Sequence, residues 1–264
     1  MKILNFLFSR SKQEQDKPIR DKLKTRKDFE RVLVEDLDIM ETTKARMDTA
    51  KNINLYMYRS LSYSYILILQ SKYSVDAKID ELRDIYIKSM HYFLQAFNKR
   101  NPIYADILNY VSLGVLLNIP DNNFRQLIDY VKQMDKQAKP SGWTPDLLLW
   151  FMLNSRMKEQ EKQKYAETLA YPRLYNGLYK VIQAPNAAAA KDALSKYLDR
   201  WYNLNSNAPW YNSHLKDNSY RGYWAWEVAA VAKIMHIDDS DLKNNQYYPY
   251  DMVHWADNET TAKE

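Results

Sequence analysis

Cysteine is absent from the 264 residues, which removes disulfide frameworks and thiolate zinc sites and points to a reducing compartment, so the cytoplasm is the expected location. Glycine is almost as scarce. The four glycines, Gly114, Gly142, Gly177 and Gly222, lie too far apart to form a loop that cradles phosphates, and this excludes the P-loop and dinucleotide-binding classes. No run approaches the roughly 20 apolar residues of a membrane span. The opening MKILNFLFSRSKQ has neither the apolar length nor the small-residue cleavage site of a signal peptide. The four histidines, His91, His214, His236 and His254, show no HExxH spacing and no recognisable triad order. His236 and His254 do lie near Asp238, Asp239, Asp241 and Asp251, an oxygen and imidazole donor set, but capping and solvation of a short helix account for those acids better than a metal does. No metal, no cofactor and no catalytic residue is expected, and the chain reads as a binding protein that is not an enzyme.

What the chain has in abundance is tyrosine, at 22, together with seven tryptophans, while its β-branched residues rarely alternate with polar ones. That composition favours helices packed through aromatic rings. Charge is distributed unevenly. Residues 1–28 hold nine Lys/Arg against four Asp/Glu and so carry the whole net charge of +5, whereas residues 199–264 hold six basic and ten acidic side chains. The pI of about 9.0 is therefore a property of the leader and no argument for nucleic-acid binding.

Helical periodicity is clearest from Phe29, where Val32, Leu33, Leu37, Met40 and Met47 share one side and Arg31, Glu35, Asp38 and Glu41 the other. Residues 53–70 are apolar on all but a narrow edge and should be central. Helices are further expected over 76–97, 104–117, 123–136, 144–155, 168–181, 187–202 and 220–235, with Pro249 opening a terminal helix. Short connections imply an all-α fold of antiparallel helix pairs in an up-and-down or repeat-like array. The Pro, Gly and charge concentrated in DKQAKPSGWTPD marks the boundary between halves. The expected organisation is a basic flexible leader at 1–19, an N-terminal half at 20–138, a C-terminal half at 143–257 and a polar tail at 258–264.

Two acids fall among core-type positions. Asp36 sits inside the apolar sector of Phe29, Leu33 and Met40 and needs a cation or a backbone donor. Glu227 lies in YRGYWAWEVAAVAKI, where a helix from Tyr220 would put it on one face with Tyr220, Tyr223, Trp224, Val228 and Val231. An unpaired buried carboxylate is costly. Arg221 and Lys233 are six positions away and cannot face Glu227 on a helix, so Arg200 or Arg173 is expected to supply the cation. Both acids are thus expected to be structural anchors. Partner contact is assigned to the acidic stripe of Glu35, Asp38 and Glu41, and to Trp224 and Trp226 beside Asp238, Asp239 and Asp241.

The stretch YRGYWAWEVAAVAKIMHIDDSDLKNNQYYPYDMV, preceded by YLDRWY and earlier by SKYSVD, resembles the PoNi-type immunity proteins of bacterial polymorphic-toxin systems. The resemblance covers the chain after about Arg20 and is carried by the YWAWE and YYP signatures, while the basic leader up to Lys27 departs from the pattern. It implies an all-helical protein, encoded beside a DNase toxin, that protects its producer by binding that toxin. It implies no catalytic residue. The expected partner is the cognate DNase toxin in a one-to-one or symmetric complex, with a homodimer left open and neither a membrane nor nucleic acid as a direct partner. The rival reading is a helical nucleic-acid-associated or scaffold protein that uses the leader.

Overall fold

The computed structural model describes residues 18–96, 103–136, 143–162, 164–216 and 218–256. Most of the basic leader and the polar tail lie outside them. The described residues form ten α-helices and no strand. The chain divides into two compact units: residues 1–96 with 212–223, and residues 97–211 with 224–264. The first unit ends at residue 96 and takes in the later segment 212–223, whereas the expected halves are 20–138 and 143–257.

In the first unit, α1 (Arg26–Thr49), α2 (Leu55–Ser74) and α3 (Ile79–Ala96) follow one another through short turns. Helix α1 starts at a capping box, in which the Asp28 carboxylate accepts from the Thr25 backbone N–H at 3.0 Å and the Thr25 hydroxyl accepts from the Asp28 N–H. Asn54 caps α2 by accepting from the Met57 N–H at 3.0 Å. The first two helices run antiparallel, since Arg26 donates to the Val75 carbonyl at one end while Thr43 meets Ser60 toward the other. Leu33, Met40, Leu61, Tyr65 and Ile68 are the core between them. Tyr65 stacks on Tyr92 of α3, and the Ser89 hydroxyl donates to the Ser62 carbonyl at 2.8 Å.

Residues 220–225 are not helical, and here the expectation of a helix from Tyr220 is corrected. Gly222 has φ of 107°, a conformation that breaks a helix and that side chains with a Cβ rarely adopt. The carbonyls that a helix would have used internally accept instead from distant side chains, Arg221 from the Ser74 hydroxyl at 2.9 Å and Gly222 from the Gln70 amide at 2.8 Å. The non-helical backbone carries Arg221 to Asp36, which is only 2% exposed. The guanidinium donates through Nε to Oδ2 at 2.7 Å and through Nη2 to Oδ1 at 2.8 Å. Next to it the Tyr220 hydroxyl donates to Asp21, whose other oxygen accepts from the Leu23 and Lys24 N–H groups. Burial raises the Asp21 pKa while these donors act to lower it.

The second unit contains α4 (Tyr104–Leu116), α5 (Asp121–Lys136), α6 (Leu147–Asn154), α7 (Pro172–Ile182), α8 (Ala187–Leu204), α9 (Trp226–Met235) and α10 (Tyr250–His254). Pro172 at the first helical position fixes where α7 starts, four residues after the expected Thr168. Helices α7 and α8 approach closely at Gly177, where an added Cβ would stand 2.6 Å from the Tyr197 ring. Helix α9 packs chiefly on α4, and its small residues Ala229 and Ala232, with Ala225 just before it, are buried. His236 ends α9 in the left-handed conformation and Ile237 donates back to the Ala232 carbonyl at 3.0 Å. Pro249 stands immediately before α10 and not inside it.

The Asp36–Arg221 pair yields the first prediction. Replacing Asp36 by Ala leaves a buried guanidinium without its counter-charge and should lower stability by roughly 3 to 5 kcal/mol. Urea melts of Asp36→Ala, Arg221→Ala and the double variant should show strong non-additivity, the double costing much less than the sum of the singles. Additive losses would mean that the two side chains act independently.

Candidate functional site

The sites expected from sequence fall in both units and are described within each. In the first unit Glu35 is half-buried and Asp38 and Glu41 are exposed on α1. Glu41 accepts from Lys44 at 3.0 Å, whereas neither Glu35 nor Asp38 has an ion pair among the described residues. The narrow edge of α2 carries Tyr56 and Tyr63, seven positions apart and 77% and 63% exposed, with Leu55 and the exposed Arg59 beside them. Sequence reasoning assigned these tyrosines no role. The signal was present in their spacing of two helical turns, but the aromatic density of residues 53–70 concealed which ring faced outward.

In the second unit Trp224 and Trp226 are buried, at 6% and 5% exposure, so their expected role as rings presented to a partner is corrected: they pack inside the protein. The acidic cluster is also not one surface. Asp239 is buried and accepts from the Tyr248 hydroxyl at 2.7 Å, with His254 Nε2 on its other oxygen at 2.8 Å. Asp238 and Asp241 are exposed but share the Lys191 ammonium, at 2.7 and 2.8 Å. Lys191 and the hydroxyl and N–H of Ser240 hold the Asp238 carboxyl well below the usual carboxylate range. Asp238 is thus the acid that caps the turn following His236. Among the described residues no group of three or more His, Asp and Glu side chains is placed to hold a metal ion.

Glu227 occupies the first turn of α9. Neither expected cation reaches it, and this too is a correction: Arg173 and Arg200 are exposed on α7 and α8. What approaches is the Trp201 indole, which donates to Oε1 at 2.6 Å. The adjacent motif YLDRWY therefore supplies the residue after the arginine, an uncharged donor. Desolvation raises the Glu227 pKa to about 7, against the opposing effect of the indole and of its own backbone N–H. Tyr104, Tyr175 and Tyr197 stand close enough for the Glu227 charge to raise their phenol pKa values, after the larger effect of burial. Asp146 acts on Tyr104 and Tyr175 in the same way. It accepts from the Tyr104 hydroxyl at 2.8 Å, from the Leu149 N–H at 2.8 Å and from the Ala170 N–H at 2.7 Å. Beside Trp201 a set of half-buried rings continues outward, with Trp210 stacked on it at 5.5 Å, Tyr247 also at 5.5 Å, and Tyr202 stacked on Tyr247.

These features define a helical protein in which several acids are enclosed by donors of its own and others stand on the surface. Residues 11–129 match the family model for the N-terminal part of PoNe immunity proteins (PoNi), and residues 144–252 match the model for the C-terminal part. The chain belongs to the PoNe immunity protein family. It is thereby an immunity protein, whose partner is a toxin. The N-terminal match begins at residue 11, inside the basic leader and earlier than the resemblance from about Arg20 had suggested. The fold is similar to that in the crystal structure of protein PA2201 from Pseudomonas aeruginosa, with a TM-score of 0.70 and 19% identity over 93% of each chain. No curated protein matches the chain. Among the described residues no helix is long and apolar enough to cross a membrane.

The Glu227 environment gives a pH prediction. Its folded-state pKa of about 7 lies above the ordinary 4.5, so folding favours the protonated acid. The stability this contributes is complete below about pH 4.5 and is lost as pH rises through 7. Glu227→Gln keeps an oxygen for the Trp201 indole without the titration. It should be more stable than wild type above pH 7, by up to roughly 3 kcal/mol, with the difference vanishing toward pH 4.5. Chemical denaturation of both proteins across this range measures it. A constant difference between the two curves would show that Glu227 does not titrate in this window.

Proposed function

We propose that this protein neutralises a DNase toxin of the PoNe type by binding it directly, without chemistry of its own, and so protects the bacterium that makes both. The observation that carries the reading is the match of both parts of the chain to the PoNe immunity family. The first unit supports a mode of recognition. A nuclease must offer a basic path to DNA, and acids placed where phosphates would lie steer such a surface into contact. Glu35 and Asp38, with no internal cation, suit this role better than Asp238 and Asp241, whose charge is balanced by Lys191. Tyr56 and Tyr63 on the neighbouring helix supply exposed aromatic area of the kind that dominates interface energy.

The test is protection of DNA, in cells and in purified mixtures, from the PoNe toxin of the same locus. Glu35→Gln, Asp38→Asn and Glu41→Gln together should slow association about tenfold at low ionic strength and far less at high salt, with dissociation little changed. Equal association rates for variant and wild type would remove electrostatic steering by α1. Deletion of residues 1–17 should leave protection intact. The cut stops there because Arg20 and Asp21 belong to the fold, Arg20 donating to the Tyr73 and Ala77 carbonyls. Loss of protection with a normal melt would favour a function exercised through the leader. Substituting the Asp238, Asp239 and Asp241 cluster is a poorer probe of charge, since Asp239 holds Tyr248 and His254.

A further inference from the structure

The enclosed acids of this protein differ in one respect. Asp36 has both oxygens on Arg221, Asp135 takes the Trp143 and Trp150 indoles at 2.8 and 2.7 Å, and Asp239 takes Tyr248 and His254. Asp146 and Asp21 likewise receive donors on both oxygens. Glu227 receives Trp201 on Oε1, and apart from its own backbone N–H no further donor of the described residues reaches its carboxyl.

The groups around it do not remedy this. Helix α4 contributes Tyr104, the start of α6 contributes Asp146, α7 contributes Tyr175 and α8 contributes Tyr197, and none of these is a cation. Lys233, on the same helix as Glu227, donates to the Leu116 carbonyl. The ionisable residues of α10, Tyr250, Asp251 and His254, are not among the groups that act on the Glu227 carboxyl. A carboxyl so placed weakens the free protein, and side chains retained at a cost to stability are characteristic of sites that act on something else. Glu227 is nonetheless only partly buried as a residue, unlike Asp36 and Asp239. The indole that holds it is continuous with the half-buried rings of Trp210, Tyr202 and Tyr247.

We infer that this acid and the rings beside it form a receptor for an arginine side chain of the toxin. The guanidinium donates to Glu227 Oε2 and lies against the Trp210 and Tyr247 rings. A planar cation satisfies the open carboxylate oxygen and the negative ring faces together, which a neutral side chain cannot do. The inference rests on the proposed toxin binding and adds the chemistry of one contact.

Binding of this kind requires Glu227 to ionise. The wild-type protein should therefore release a proton when it binds the full-length PoNe toxin at pH 6, and its affinity should fall roughly tenfold per pH unit below 7. Calorimetry in two buffers of different ionisation enthalpy counts the proton. Glu227→Gln should bind at least about 30-fold more weakly at pH 8, release no proton and lose the pH dependence, while melting at or above the wild-type temperature. Trp210→Ala should weaken binding with the proton release retained. The inference is overturned if Glu227→Gln binds as tightly as wild type, or if wild-type binding releases no proton. Should the wild-type protein fail to bind the toxin at all, the immunity mechanism proposed above fails first and this contact with it.

Discussion

The pair between Asp36 and Arg221 decides the course of the chain more than any other contact. It joins a residue in the first helix to one 185 positions later, and it does so where both are withdrawn from solvent. Where the guanidinium reaches Asp36 residues 220–225 are not helical, and the helix that carries Glu227 starts at Trp226. The same segment is held by its neighbours: Ser74 and Gln70 donate to the carbonyls of Arg221 and Gly222, and Tyr220 reaches Asp21. Dry ion pairs are weak sources of net stability but expensive to break, because the remaining partner is left charged without water. Such a contact sets geometry more than it deepens the folding well, and this one defines which residues 212–223 accompany in the first unit.

This also explains which parts of the architecture could be read from the amino acids. Helices such as α1, α2 and α8 announce themselves locally, through Thr25, Asn54 and Asn186 at their starts and apolar residues repeating at helical spacing. Residues 220–225 carry the same apolar density as a helix, and their non-helical form is held by Asp36, Gln70 and Ser74, which no local window contains. Asp36 could be recognised as an acid in need of a partner because its own helix has a clear period. Which cation would serve it could not, since Arg221 had been placed inside a helix.

The candidate site was legible to a similar degree. The acidic residues of α1 are surface acids because their positions on the wheel oppose Phe29, Leu33 and Met40, and that follows from periodicity alone. Trp224, Trp226 and Asp239 were read as a presented surface from composition, yet rings and carboxylates in a crowded C-terminal region find one another first. Asp239 bonds Tyr248 and His254 from the YYP segment itself. Adjacent aromatic and acidic residues are thus as compatible with a closed internal network as with an open interface, and only the positions of their donors distinguish the two.

The protein encloses acids in several ways, and the donor decides what each can do. Arginine gives Asp36 a counter-charge and fixes its position. Phenol, imidazole and backbone N–H groups hold Asp239, Asp21 and Asp146 in networks whose members all lie within the chain. Indoles hold Asp135 on both sides, each hydrogen bond supplying directional stabilisation without a compensating charge. With a single indole and its own backbone N–H, Glu227 lies between these cases: oriented by Trp201 and desolvated enough for its pKa to rise to about 7. Rigid placement together with an unfilled valence of hydrogen bonding is what distinguishes a receptor from an anchor. In this fold the distinction depends on whether the second oxygen of one carboxylate has a neighbour.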